Sequence, residues 1–253
     1  MRLCLWVGGL AVILLVMILV TSKFKHYEKD ADGVRRPCVI PDENGILSLM
    51  RQHLPRTDRL LVVANDPHDF ALNDAVAAVL AQACQLTGLC FREVKVLDQR
   101  TAAQAASLVA AADLIFVCGG EVLRQLVFLQ QIAFKRLIQD CAGVVLTVSA
   151  ASMCLTRTIC NFPERSQELG QPRLVAGLGL LDLRLIPHFD GESMTYQGTT
   201  DLPNLVTDYL LPYSDDGPVC GLPNGSFICL DGGAVTFYGP CYQILRRVVA
   251  KMV

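Results

Sequence analysis

One serine, one histidine and a glycine pair in this chain have the types and spacing for acyl-transfer chemistry. In "TVSAAS" (Thr147 to Ser152) an apolar run stops at Ser149 and an alanine-rich segment follows, so the hydroxyl would sit on a strand-turn-helix elbow. The next amide, that of Ala150, could then face an oxyanion. The same residues also suit an ordinary helix N-cap serine. Thirty-nine residues on, "LRLIPHFD" (Leu183 to Asp190) ends a second apolar run at His188, whose neutral imidazole suits general-base work near pH 7. A base of this kind needs an acid to orient it, and the polar segment 161–173 offers Glu164 and Glu168. Upstream, "VCGGE" (Val117 to Glu121) pairs two glycines at another strand end, where backbone amides such as that of Gly120 could meet an anion.

These residues need a scaffold that brings strand ends together. From Arg59 onward short apolar runs alternate with helical patterns: strands at 59–66, 90–97, 113–120 and 143–149, helices at 72–88 and 121–140. The pattern predicts an α/β fold in three layers, a mostly parallel sheet with helices on both faces and its site at the strand C-terminal ends. Gly143 to Ser149 should be its central strand. Alternation and glycines in "GLPNGSFICLDGGAVTFYG" (Gly221 to Gly239) predict antiparallel hairpins at one edge.

The N-terminus reads differently. Leu3 to Val20 holds sixteen apolar residues and two glycines without a charge, enough for a transmembrane anchor, with a cleaved signal as the rival. Basic residues Lys23, Lys25, Lys29, Arg35 and Arg36 on its C-terminal flank would place the main domain in the cytosol, giving a single-pass membrane protein. The expected divisions are an anchor or signal at 1–22, a linker and poorly matched first element at 23–57, and the α/β domain at 58–253. A net charge of −2 without a basic block excludes nucleic acid as an expected partner. Eleven scattered cysteines without a CxxC pair read as core thiols in a reducing compartment. Only four histidines are present, and neither a metal nor an organic cofactor is expected.

Taken together, the motifs resemble peptidase E, the aspartyl dipeptidase family related to cyanophycinase, with a fold like that of class I glutamine amidotransferases. "FVCGGE" is similar to the family's "VGGGN", "TVSAAS" to its "GxSAGA" elbow, "LIPHF" to "INPHF", and "GLPNGSF" with "YGP" to "GLPEGNW" and "GGP". The resemblance runs from about Arg59 to the C-terminus. It implies Ser149 as nucleophile, His188 as base and an acid about fifteen positions after the serine, where Glu164 stands. Gly120 and Ala150 would supply the oxyanion hole, and the substrate would be a short peptide with N-terminal aspartate. The chain departs from the pattern at Thr147 and Ala151, which replace elbow glycines, at Cys118, and at Glu121, whose carboxylate would repel an oxyanion unless protonated or turned away. Those departures leave a second expectation, an inactive membrane-tethered binding protein. An α/β-hydrolase esterase and cysteine chemistry at Cys118 or Cys154 are further readings.

Overall fold

The computed structural model describes residues 16–54, 56–170 and 173–253. A seven-stranded sheet forms the middle layer, in the spatial order Ala234–Tyr238, Phe227–Asp231, Met17–Thr21, Val144–Val148, Leu114–Val117, Arg59–Val63, Glu93–Leu97. The five strands from Met17–Thr21 to Glu93–Leu97 are parallel, and the Phe227–Asp231/Ala234–Tyr238 hairpin closes one edge antiparallel. Val144–Val148 stands fourth of the seven, between Met17–Thr21 and Leu114–Val117.

Strand alternation divides the interior into two cores. Ile18, Val20, Leu61, Val63, Ile115, Val117 and Val145 enter one; Met17, Leu19, Leu60, Val62, Leu114, Phe116, Val144 and Leu146 enter the other. Helices Ile46–His53 and Phe70–Leu86 cover the second core. The first core is covered by Ala105–Ala111, Val122–Gln131 and Ala150–Cys154. A four-stranded sheet also packs there, ordered Arg184–Pro187, Val219–Leu222, Tyr242–Leu245, Val248–Lys251. The helical pattern over 121–140 is interrupted at Ala133, whose left-handed backbone (φ 52°) redirects the chain so that Phe134 and Ile138 are buried.

The transmembrane expectation is corrected here. Met17–Thr21 is a strand, buried at every position and paired on both sides, parallel to Val144–Val148 and antiparallel to Phe227–Asp231. A strand covered on both faces needs no polar residue, so it yields the same uncharged run as the end of a membrane helix. The rest of the proposed span, residues 3–15, lies outside the described residues. Among the described residues no helix is long and apolar enough to cross a membrane. The single-pass anchor and the cytosolic placement derived from it fall with that helix. Residues 23–57 carry a hairpin, Tyr27–Lys29 with Arg35–Pro37, and the helix Ile46–His53.

Leu19 is fully buried in this strand. Leu19→Ala is expected to destabilise the fold by about 2–5 kcal/mol, measured by urea unfolding of the full chain.

Candidate active site

Five strands deliver their C-terminal ends to one rim. Ser22 follows Met17–Thr21, Gly119 and Gly120 follow Leu114–Val117, and Ser149 follows Val144–Val148. From the second sheet, the parallel strands Arg184–Pro187 and Val219–Leu222, in register at Pro187 and Leu222, end at His188 and Asn224.

Ser149 sits at φ 51°, ψ −112°, a conformation that costs a non-glycine residue about 1–3 kcal/mol. Neighbours on the N-terminal strand and the following helix hold it. Its N–H donates to the Thr21 carbonyl (3.0 Å), and the buried Ser152 hydroxyl donates to the same oxygen (2.7 Å). The Thr21 hydroxyl donates to the Thr147 carbonyl (2.8 Å), while the Thr147 hydroxyl lies 2.9 Å from that of Ser152. Thr147 therefore joins a lattice of buried hydroxyls instead of crowding the elbow. Ala151 is fully buried beside it. Although Ser149 precedes a helix, its side chain makes no capping bond.

The hydroxyl turns instead to His188, with Oγ 2.8 Å from Nε2. His188 also has a left-handed backbone (φ 59°), and its N–H donates to the Ser22 hydroxyl (2.6 Å). The other ring nitrogen, Nδ1, lies 2.7 Å from Asn224 Oδ1, which also accepts from the Ser22 hydroxyl (3.2 Å). An amide oxygen only accepts, so Nδ1 carries the proton and Nε2 is left to receive one from Ser149. Burial holds the His188 pKa below its ordinary 6.5; the Asn224 hydrogen bond opposes this and the nearby Lys23 charge adds to it.

Glu164 lies behind this pair. Its carboxylate accepts a short hydrogen bond from the Tyr196 hydroxyl, and the Tyr196 ring stands edge-on to the His188 imidazole, centroids 5.8 Å apart. Burial raises the Glu164 pKa against the pull of that bond, and nearby Glu168 pushes it further up. The structure thus joins Ser149 to His188 directly and places Glu164 one ring away.

The glycine pair is demanded by close approach. A Cβ on Gly119 would lie 2.8 Å from the Val148 carbonyl and 3.1 Å from Ser149 Cβ, and one on Gly120 would overlap the Asn65 side chain at 2.3 Å. Asn65 accepts from the Glu121 amide (3.1 Å) and fixes the loop. The amides of Gly120 and Ala150 have no intramolecular acceptor among the described residues. Glu121 is turned onto the start of its own helix, where its carboxylate accepts from Leu123 and Arg124 amides (both 2.8 Å). Its charge is used there. Burial pushes the Cys118 thiol up to about 12 and raises that of Cys154 as well, leaving neither suited to nucleophilic work. Among the described residues, no cluster of His, Cys, Asp or Glu could hold a metal.

The sequence profile of peptidase family S51 matches residues 71–238, about two thirds of the chain. The chain belongs to that family, a family of serine peptidases. Solved structures of similar fold include a peptidase from an acI-B1 Actinobacterium, 14% identical, with 95% of each chain covered and a TM-score of 0.64. Another is a candidate peptidase E of Listeria monocytogenes EGD-e, 16% identical, covering 88% of this chain and 97% of that one at a TM-score of 0.58. Identities this low speak to fold alone. No curated protein sequence matches.

Within this S51 peptidase, sequence reasoning missed Asn224 and Ser22. The signal for Asn224 was present: in "GLPNGSF" it stands where the family's "GLPEGNW" carries glutamate. Because glycine adopts the Ser149 backbone conformation freely, Ser149→Gly is expected to exceed Ser149→Ala in stability by about 1–2 kcal/mol in thermal unfolding.

Proposed function

We propose that this S51 peptidase is a serine exopeptidase acting on short peptides with N-terminal aspartate. Ser149 is the nucleophile, His188 the general base, and Asn224 the group that fixes the imidazole tautomer. The reading rests on one observation above all, the 2.8 Å contact of Ser149 Oγ with an imidazole nitrogen whose opposite nitrogen faces a pure acceptor. The Ser149 oxygen attacks the peptide carbonyl carbon while its proton passes to Nε2. Amides of Gly120 and Ala150 receive the developing oxyanion. The C–N bond then breaks as the imidazolium returns its proton to the leaving amine, and a water, deprotonated by His188, releases the acyl group from Ser149.

Glu164 has a separate part in this proposal: it anchors Tyr196, whose ring edge holds the imidazole in place. The aspartyl preference comes from the resemblance to peptidase E. Exposed Lys23, whose charge is felt at His188, favours an anionic substrate, and Glu121 no longer opposes one.

Ser149→Ala is expected to lower kcat for an aspartyl dipeptide by at least about a thousandfold, and wild-type turnover surviving in this variant would sink the assignment. The inert binding-protein reading predicts no labelling of Ser149 by a serine-directed phosphonate, whereas stoichiometric labelling is expected here. Since the base must be neutral and burial lowers its pKa, the acid limb of kcat/KM should fall below the ordinary histidine value of 6.5. Asn224→Leu should reduce kcat by about tenfold or more, with Glu164→Gln, which can still accept from Tyr196, within about threefold.

A further inference from the structure

The hydrogen bonds behind His188 continue past Asn224. Asn224 Nδ2 donates to Gln197 Oε1 (2.9 Å), and Gln197 Nε2 donates to Asp190 Oδ2 (3.0 Å). The other oxygen of Asp190 accepts from the amides of Glu192 (3.1 Å) and Ser193 (3.4 Å), and the Gln197 amide donates to the His188 carbonyl (2.7 Å). Asp190 lies in the small hairpin that pairs Phe189–Asp190 with Thr195–Tyr196, His188 and Gln197 flank that hairpin, and Asn224 reaches the row from the end of Val219–Leu222.

Serine, histidine, asparagine and glutamine can each present a donor or an acceptor in a given direction. Such a row has two self-consistent polarities. In one, Asn224 turns its oxygen to His188 Nδ1, and Nε2 is a base. In the other, it turns its NH2 group there, Nδ1 becomes the acceptor, and Nε2 carries a proton it cannot exchange with Ser149. An ionised carboxylate at the end of the row accepts only, and so selects the first. The Ser193 hydroxyl, the amides of Ser193 and Glu192, and Gln197 hold Asp190 below the usual carboxylate range despite some desolvation. Ser22 biases the near end the same way, because it accepts the His188 N–H and has its own hydrogen free for Asn224.

We infer that Asp190 is a positioning residue that sets the hydrogen-bond polarity of the site, acting on His188 through the side-chain amides of Gln197 and Asn224. The inference deepens the serine-peptidase reading and rests on it for its catalytic meaning. Where the family's "GLPEGNW" carries glutamate this chain carries Asn224, and the acceptor-only group of the row, Asp190, stands two side-chain amides from His188. The other charged or titratable groups facing His188 are Lys23 and Tyr196, with Glu164 behind the latter, and none of them joins the row.

The test compares an isosteric with a truncating variant. Asp190→Asn keeps the oxygen that accepts from residues 192 and 193 but aims an NH2 group at Gln197, which inverts the row. Asp190→Ala removes the terminal group without imposing the wrong polarity. The 15N ring spectrum of His188, assigned by comparison with His188→Gln and recorded well above its pKa, reads the tautomer without any turnover. The proton is expected on Nδ1 in wild type, on Nε2 in Asp190→Asn, and largely on Nδ1 in Asp190→Ala. Phosphonate labelling of Ser149 should slow by about tenfold in Asp190→Asn and less in Asp190→Ala, the reverse of what a purely structural aspartate predicts. Adding Asn224→Glu to Asp190→Asn puts an acceptor-only group against Nδ1 and should restore both tautomer and labelling. An unchanged tautomer in Asp190→Asn, or a greater loss in Asp190→Ala, overturns the inference. Tautomer inversion in a protein whose wild type is never labelled would uphold it and overturn the peptidase reading instead.

Discussion

The site depends on one backbone oxygen. The Thr21 carbonyl accepts the Ser149 N–H and the Ser152 hydroxyl together, and this double acceptance closes the chain's turn from strand to helix over a residue in a disfavoured conformation. Strain of this kind persists only where the surroundings over-determine it. Here they do so from two sequence-distant elements: the strand Met17–Thr21, which also contributes the Thr21 hydroxyl, and the helix Ala150–Cys154. His188 shows the same economy. Its left-handed backbone is pinned by Ser22, the residue immediately after Thr21, so Ser149 and His188 are both held by consecutive residues at the end of one strand, its last residue and the one after it.

That arrangement explains how the chain tolerates its departures from the family pattern. Glycines at an elbow serve by occupying no space, whereas Thr147 serves by filling space usefully, since its hydroxyl meets that of Ser152 inside a sealed layer. Glu121 follows a similar logic. Its charge is matched to the partial positive charge of a helix start, where the Leu123 and Arg124 amides hold its carboxylate.

Much of this was legible in the sequence because buried parallel strands leave continuous apolar runs, and the residues that end them mark the rim of the sheet. Ser149, His188 and the glycine pair end such runs, and the structure places them at that rim. Asn224 was harder, since an asparagine between proline and glycine reads as turn chemistry and only the approach of a second strand end shows its oxygen meeting Nδ1. Glu164 illustrates the opposite case. The family resemblance points to it as the partner of His188, but whether a carboxylate touches an imidazole or a phenol is decided by the fold of the 190–201 loop. The N-terminal run misled for a physical reason: hydrocarbon and a doubly covered sheet exclude polar side chains equally, and composition alone does not separate them.

The position of Met17–Thr21 has a temporal consequence. Its two sheet partners lie at 144–148 and 227–231, so the strand finds its second neighbour only after about two hundred further residues have left the ribosome. Pairings so distant along the chain form slowly. Until that strand is enclosed, Thr21 and Ser22 are absent from the rim, and neither the Ser149 turn nor the His188 backbone has the partner that holds it. Completion of the sheet and assembly of the rim are one event.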